Sequence, residues 1–167
     1  MSPVVVLGID PGLACTGFGV VRVEGQRVTA LAHGDIATRP RADPAARLHQ
    51  IHAGVADVLA RHAPDHAAVE SLFIGLDPRA ILAVGQARGV ALAACGAAGV
   101  ASAEYAPAQV KLAVCGSGRA PKEQVGRMIA VILRLEGAPP SEHAADALAV
   151  ALTHAWSVGS AALRVAR

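Results

Sequence analysis

The chain has 167 residues, a length that fits one domain with a full core, and 53% of them are apolar. Its formal charge of +2 is too small to establish a nucleic-acid partner by itself, so the placement of charge has to decide. Three cysteines (Cys15, Cys95 and Cys115) without a CxxC spacing argue against a disulfide framework or a zinc site, and for a reducing compartment.

The first residues carry no basic region, and their apolar run is cut by Asp10, which argues against a signal peptide. Val4–Asp10 is a β-branched run ending at Pro11-Gly12, so a central strand is expected to stop at its carboxylate. Phe18–Val23 and Arg27–Ile36 follow as two strands joined near Gly25, an antiparallel meander. Ala42–His62 repeats apolar residues (Leu48, Ile51, Val55, Val58, Leu59) at helical spacing. His66–Phe73 reads as a strand, Pro78–Ala94 as a helix, Ala101–Tyr105 as a short strand and Ala108–Val114 as a short helix. After the Gly116–Pro121 loop comes a helix over Lys122–Leu135. Gly137–Pro140 breaks it, and Ser141 is placed to cap a last helix running to about Ser157. The result is one α/β domain over residues 1–167, a mixed sheet of antiparallel meander plus parallel strands with helices on both faces, its last ten or so residues a candidate tail.

The most membrane-like stretch, Gly89–Ala101, is too short to span a bilayer and follows Gln86 and Arg88, so a soluble, cytoplasmic protein with no membrane partner is expected. The helix containing it is apolar almost all round and needs cover on two sides. One side is the sheet; the other is either a further part of the monomer or a partner subunit.

Four residues stand out chemically. Asp10 ends a buried-looking strand, and Glu70 lies among Ala67, Ala68, Val69 and Leu72, where a carboxylate is costly unless paired or bound to metal. His143 and Asp146, three apart on the last helix, share a face. Any one of them could be a cap or an ion-pair partner; together they make sense as a metal site. Oxygen ligands that must admit phosphate select Mg²⁺ or Mn²⁺, and two such ions can clamp an in-line phosphodiester displacement. The chain writes arginine at thirteen positions but lysine only at Lys111 and Lys122, both beside the loop that holds Arg119. These three, with Arg79, are the basic residues assigned to DNA. Phe73, in an apolar segment where a polar loop is expected, is either a wedge against DNA bases or a core plug.

Gly8-Ile9-Asp10-Pro11-Gly12, Glu70-Ser71-Leu72-Phe73, Gly85-Gln86-Ala87-Arg88-Gly89-Val90 and Ala144-Ala145-Asp146-Ala147-Leu148-Ala149 together resemble the RuvC family of Holliday junction resolvases, in family order over nearly the whole chain. The resemblance implies an RNase H-like fold and a two-fold homodimer acting on four-way DNA junctions in recombination and repair. It also implies symmetric Mg²⁺-dependent nicks, with Mn²⁺ as an alternative, leaving 5′-phosphate and 3′-hydroxyl ends, and a partnership with the RuvA–RuvB branch-migration complex. It assigns Asp10, Glu70 and Asp146 as acidic ligands, Lys111 and Lys122 as basic residues near the scissile phosphate, and Phe73 as the junction-contacting aromatic. Many members carry a fourth carboxylate at the position of His143, which leaves its role, ligand or general base, open. The first motif also resembles the phosphate loop of actin-like ATPases, but the second such loop they need is missing. Small RNase H-like nucleases of ribosomal RNA maturation share it too, without the Gln86-Ala87-Arg88-Gly89 helix.

Overall fold

The computed structural model describes residues 3–71 and 77–165. Five strands form one sheet in the order β3-β2-β1-β4-β5: β1 Val4–Asp10, β2 Cys15–Glu24, β3 Arg27–Ala37, β4 His66–Glu70 and β5 Ala101–Tyr105. The meander β1–β3 is antiparallel, while β4 and β5 run parallel to β1.

Alternation along β1 splits the core in two. Val6 faces a cluster built from α3 (Pro107–Cys115), α4 (Lys122–Ile132) and α5 (Glu142–Val165), whereas Leu7 and Ile9 face α1 (Pro44–His62) and α2 (Pro78–Ala97). The expected mixed sheet with helices on both faces is therefore present. Asp43 caps α1 by accepting from the Ala45 and Ala46 amides, and Pro44 sits in the first turn, where its missing N–H is harmless. Ser141 caps α5 as expected, its Oγ accepting from the Ala144 amide at 2.9 Å.

Several boundaries differ from the sequence reading. Strand β2 begins at Cys15 rather than Phe18, because Thr16 and Gly17 already pair with Ile36 and Asp35. Strand β4 is assigned only to Glu70, short of the expected Phe73. Helix α4 stops at Ile132 rather than Leu135, since Arg134 takes a positive φ of 52°. Helix α5 continues past Ser157 to Val165. Helix α2 reaches Ala97, and its 20 residues are long and apolar enough to cross a bilayer by length and composition. That corrects the sequence estimate of length. In this fold one side of α2 is packed, with Ala87, Ala91, Ala94 and Cys95 buried, and its Arg88 pairs with Glu104.

Candidate active site

Asp10 and Glu70 close adjacent parallel strands at the centre of the sheet. Ile9 pairs with Val69, so the two carboxylates leave the sheet side by side, on the face that carries Val6 and Ala68. Helix α5 crosses that face unusually closely. A Cβ added to Gly8 would lie 2.0 Å from the Ala147 carbonyl oxygen, one on Gly17 would lie 2.1 Å from that of His143, and one on Gly19 would lie 2.8 Å from Leu148. Gly17 pairs with Asp10 and Gly19 with Gly8, so these three glycines form one patch on which the first turns of α5 rest. The patch sets His143 and Asp146 over the strand carboxylates. The sequence reading missed it, although glycines within strands often mark close backbone approach.

The turn after Asp10 is tied down. Thr16 Oγ1 donates to the Gly12 carbonyl at 2.8 Å, and both Thr38 and Arg47 donate to the Leu13 carbonyl. Ser141 also donates to Asp35 at 2.6 Å, which joins the start of α5 to β3.

The polar contacts are specific. His143 Nδ1 lies 2.7 Å from Asp10 Oδ2; a carboxylate accepts from Nδ1–H, and in a neutral imidazole that tautomer leaves the lone pair on Nε2. Lys122, the first residue of α4, places its Nζ 3.3 Å from Asp146 Oδ2 and 3.6 Å from Glu142 Oε2. Glu142 is a member of the site that the sequence reading did not single out.

Burial, followed by the negative charges of Asp10 and Asp146, pushes the Glu70 carboxyl up to about 7. Burial likewise raises Asp146, opposed chiefly by Lys122, while Asp146 holds the Lys122 ammonium above its ordinary value. Among the described residues no three such groups stand together as a ready-made metal shell. The donors are paired off instead, Asp10 with His143 and Asp146 with Lys122. The donor set still fits a hard cation: three part-buried carboxylates converge there, and a divalent charge would offset the repulsion that helps hold Glu70 and Asp146 above their ordinary values.

Of the remaining sequence-selected residues, Lys111 sits half-buried on α3 and forms no ion pair among the described residues; its charge acts on Cys115. Arg119 is exposed in the loop before α4, and Arg79 is exposed in the first turn of α2 beneath the Asp77 cap. Neither is brought to the acidic group by a described contact. Phe73 lies outside the described residues. A cleft of about 370 Å³ opens beside Asp146 between α4 and α5, and Lys122 and Arg127 stand on its rim.

A sequence model of the family described as crossover junction endodeoxyribonuclease RuvC matches residues 6–154. The chain is 52% identical over 159 residues to the RuvC of Azorhizobium caulinodans, covering 95% of this chain and 94% of that protein. It is 51% identical over 161 residues to the RuvC of Parvibaculum lavamentivorans, covering 96% and 90%. The solved structure of Thermus thermophilus RuvC in complex with Holliday junction substrate superposes with a TM-score of 0.90 at 42% identity, covering 95% of this chain and 96% of that one. With near-complete coverage, a shared RNase H-like fold and carboxylates gathered at the ends of the central strands, the chain belongs to the RuvC family of crossover junction endodeoxyribonucleases.

Proposed function

We propose that the protein resolves four-way DNA junctions by paired nicks, and that Asp10, Glu70, Asp146 and His143 hold the metal on which RuvC nucleases depend. The observation that carries this reading is the seating of α5 on Gly8, Gly17 and Gly19, which brings together carboxylates from three separate elements. Mg²⁺, two ions per site, suits the oxygen donors, with Mn²⁺ as an alternative that the imidazole favours. Bound there, the ions would supply Lewis-acid stabilisation of the charge that builds up as a phosphodiester is displaced.

The chain's own residues have separate tasks. Asp10 fixes the His143 tautomer, so Nε2 is free either to ligate or to take a proton from the attacking water. Water oxygen bonds to phosphorus as the bond to the 3′ oxygen breaks, giving 5′-phosphate and 3′-hydroxyl ends. Lys122, held by Asp146, offers its ammonium to the negative charge on the scissile phosphate. Lys111, Arg119, Arg79 and Phe73 are assigned to the surrounding DNA, which carries most of the affinity through phosphate contacts.

Pairing of the nicks calls for two copies. The exposed side of α2, with Leu82 64% and Ile81 37% accessible beside Gln86 and Gly89, is suited to a two-fold contact with its counterpart. We also expect cooperation with the RuvA–RuvB complex, in the cytoplasm, a setting with which the free Cys15, Cys95 and Cys115 agree.

The test is cleavage of a synthetic four-way junction, a linear duplex and an RNA–DNA hybrid in Mg²⁺, with Asp10→Asn and Lys122→Ala alongside. The junction alone should be cut, in symmetric nicks. Asp10→Asn should bind junctions normally without cutting, and Lys122→Ala should lose far more rate than affinity. Equal cutting of the hybrid or of the linear duplex would reject the assignment.

A further inference from the structure

A second concave site lies at the opposite end of the sheet from the carboxylates. Asp10 ends β1, whereas the β2–β3 hairpin turns beside the start of β1, where Val4 pairs with Val23. With seven residues in β1, the two ends are roughly 20 Å apart. There, residues 26–30, the end of α4 and Trp156 of α5 enclose a cavity of about 680 Å³.

Three features of this cavity point to a ligand. Its wall includes five consecutive residues of the hairpin, from Gln26 in the turn to Ala30 on β3. The outer edge of β3 has no neighbouring strand among the described residues, because β3 ends the sheet. Its straight stretch is short: the register shifts where Ala30 and Ala32 pair with Val21 and Val20, leaving Leu31 unpaired.

Charge is the second feature. Arg27 and Arg134 stand at the cavity, both exposed, and neither forms an ion pair with a carboxylate among the described residues. The nearest carboxylate on the hairpin, Glu24, faces Arg22 at 3.9 Å.

The third feature is backbone conformation. Arg134 holds φ at 52°, one residue past the α4 C-cap, where the Leu135 amide turns back to the Ala130 carbonyl. Glycine is the residue that adopts this position freely. An arginine kept there, against local preference, lines the same cavity as Trp156, the only tryptophan in the chain.

We propose that this cavity binds an acidic segment of a partner protein, which adds as a short extended strand to the β3 edge. Acidic side chains of the segment meet Arg27 and Arg134, and an apolar side chain rests against Trp156. Backbone pairing along residues 27–30 supplies the main-chain hydrogen bonds, and the bulge at Leu31 ends the pairing. Nucleic acid shares the attraction to arginine but has no peptide groups to pair with a strand edge, so the unpaired edge of β3 favours protein.

Trp156, as the sole tryptophan, reports on the site directly. The full chain is titrated with the capped peptide Val-Glu-Val-Asp-Val-Glu while its emission is followed. The controls are the Gln/Asn counterpart of the peptide, an acidic peptide N-methylated on alternate amides, and four-way junction DNA. A saturable, salt-sensitive shift is expected with the acidic peptide only. Arg134→Gly should weaken binding by about tenfold or more while raising the melting temperature, because glycine relieves the backbone. Arg27→Glu should weaken it comparably, and both variants should cut junctions at the unaltered rate. Four results would each overturn the proposal: no response to the acidic peptide at millimolar concentration, an equal response to the neutral or the N-methylated peptide, unchanged affinity in Arg134→Gly, or displacement of the peptide by junction DNA.

Discussion

At Glu70 a single side chain couples charge to stability. Its carboxyl is raised from an ordinary 4.5 to about 7, so the folded protein holds a proton that the unfolded chain releases. The stability this contributes is present below about pH 4.5 and is lost as pH rises through 7. With chelator at about pH 8, the buried charge should therefore cost about 1–3 kcal/mol, allowing for partial solvation of the group. Glu70→Gln should melt several degrees higher than the parent under those conditions, and at the same temperature at about pH 4. Adding Mg²⁺ should raise the parent's melting temperature and leave the variant's almost unmoved. A variant that melts lower at both pH values would show that Glu70 is held by favourable bonds rather than by crowding. His143 makes a second prediction at this scale. Both ligation and proton abstraction would use the Nε2 lone pair, so the ring itself has to be present. His143→Asp should stay active with stronger relative activity in Mg²⁺, and His143→Ala should lose about 100-fold or more in rate. A parental rate and metal dependence in His143→Ala would reduce this residue to packing.

At the scale of elements, the relation of α5 to the strands decides whether there is a site at all. Gly17→Ala puts a methyl group within 2.1 Å of the His143 carbonyl oxygen, a backbone atom that can yield only if the helix lifts. We expect a loss of about 1–3 kcal/mol by urea unfolding and a fall in cleavage larger than the unfolded fraction explains, because His143 and Asp146 move with the helix. Gly126→Ala, on α4 with open space around its Cβ, is the control and should leave the rate unchanged while stabilising the helix by about 0.5–1 kcal/mol. These elements were unevenly legible in the sequence. Val4–Asp10 read directly as a strand, and Ser141 as a cap, because β-branched runs, turn residues and caps act locally. The start of β2 was hidden because Thr16 and Gly17 look like turn residues and become strand only by pairing with β3. The end of α4 was hidden in Arg134, whose positive φ no arginine announces. Asp10, Glu70, His143 and Asp146 could be named as a group, but the glycine seat that gathers them is a tertiary fact. So are the Lys122–Glu142 contact and the Asp10–His143 hydrogen bond.

At the scale of the whole molecule, the paired nicks proposed above turn on one surface. The α2 face proposed for the dimer has little polar character beyond Gln86, and Leu82 is its most exposed large apolar side chain. Leu82→Glu should shift the protein from dimer to monomer in sedimentation, with dimer affinity weakened by about 30-fold or more. It should also convert paired junction nicks into single, uncoordinated ones. An intact dimer in that variant would move the interface elsewhere.

The order of elements along the chain has a consequence for the timing of activity. Asp10 meets His143 across 133 positions of sequence, and Asp146 belongs to a helix that follows every strand of the sheet. Synthesis from the N-terminus therefore makes both strand carboxylates before the helix that carries His143 and Asp146. Until that helix settles on its glycines, a growing chain holds two of the three carboxylates and cannot assemble the site.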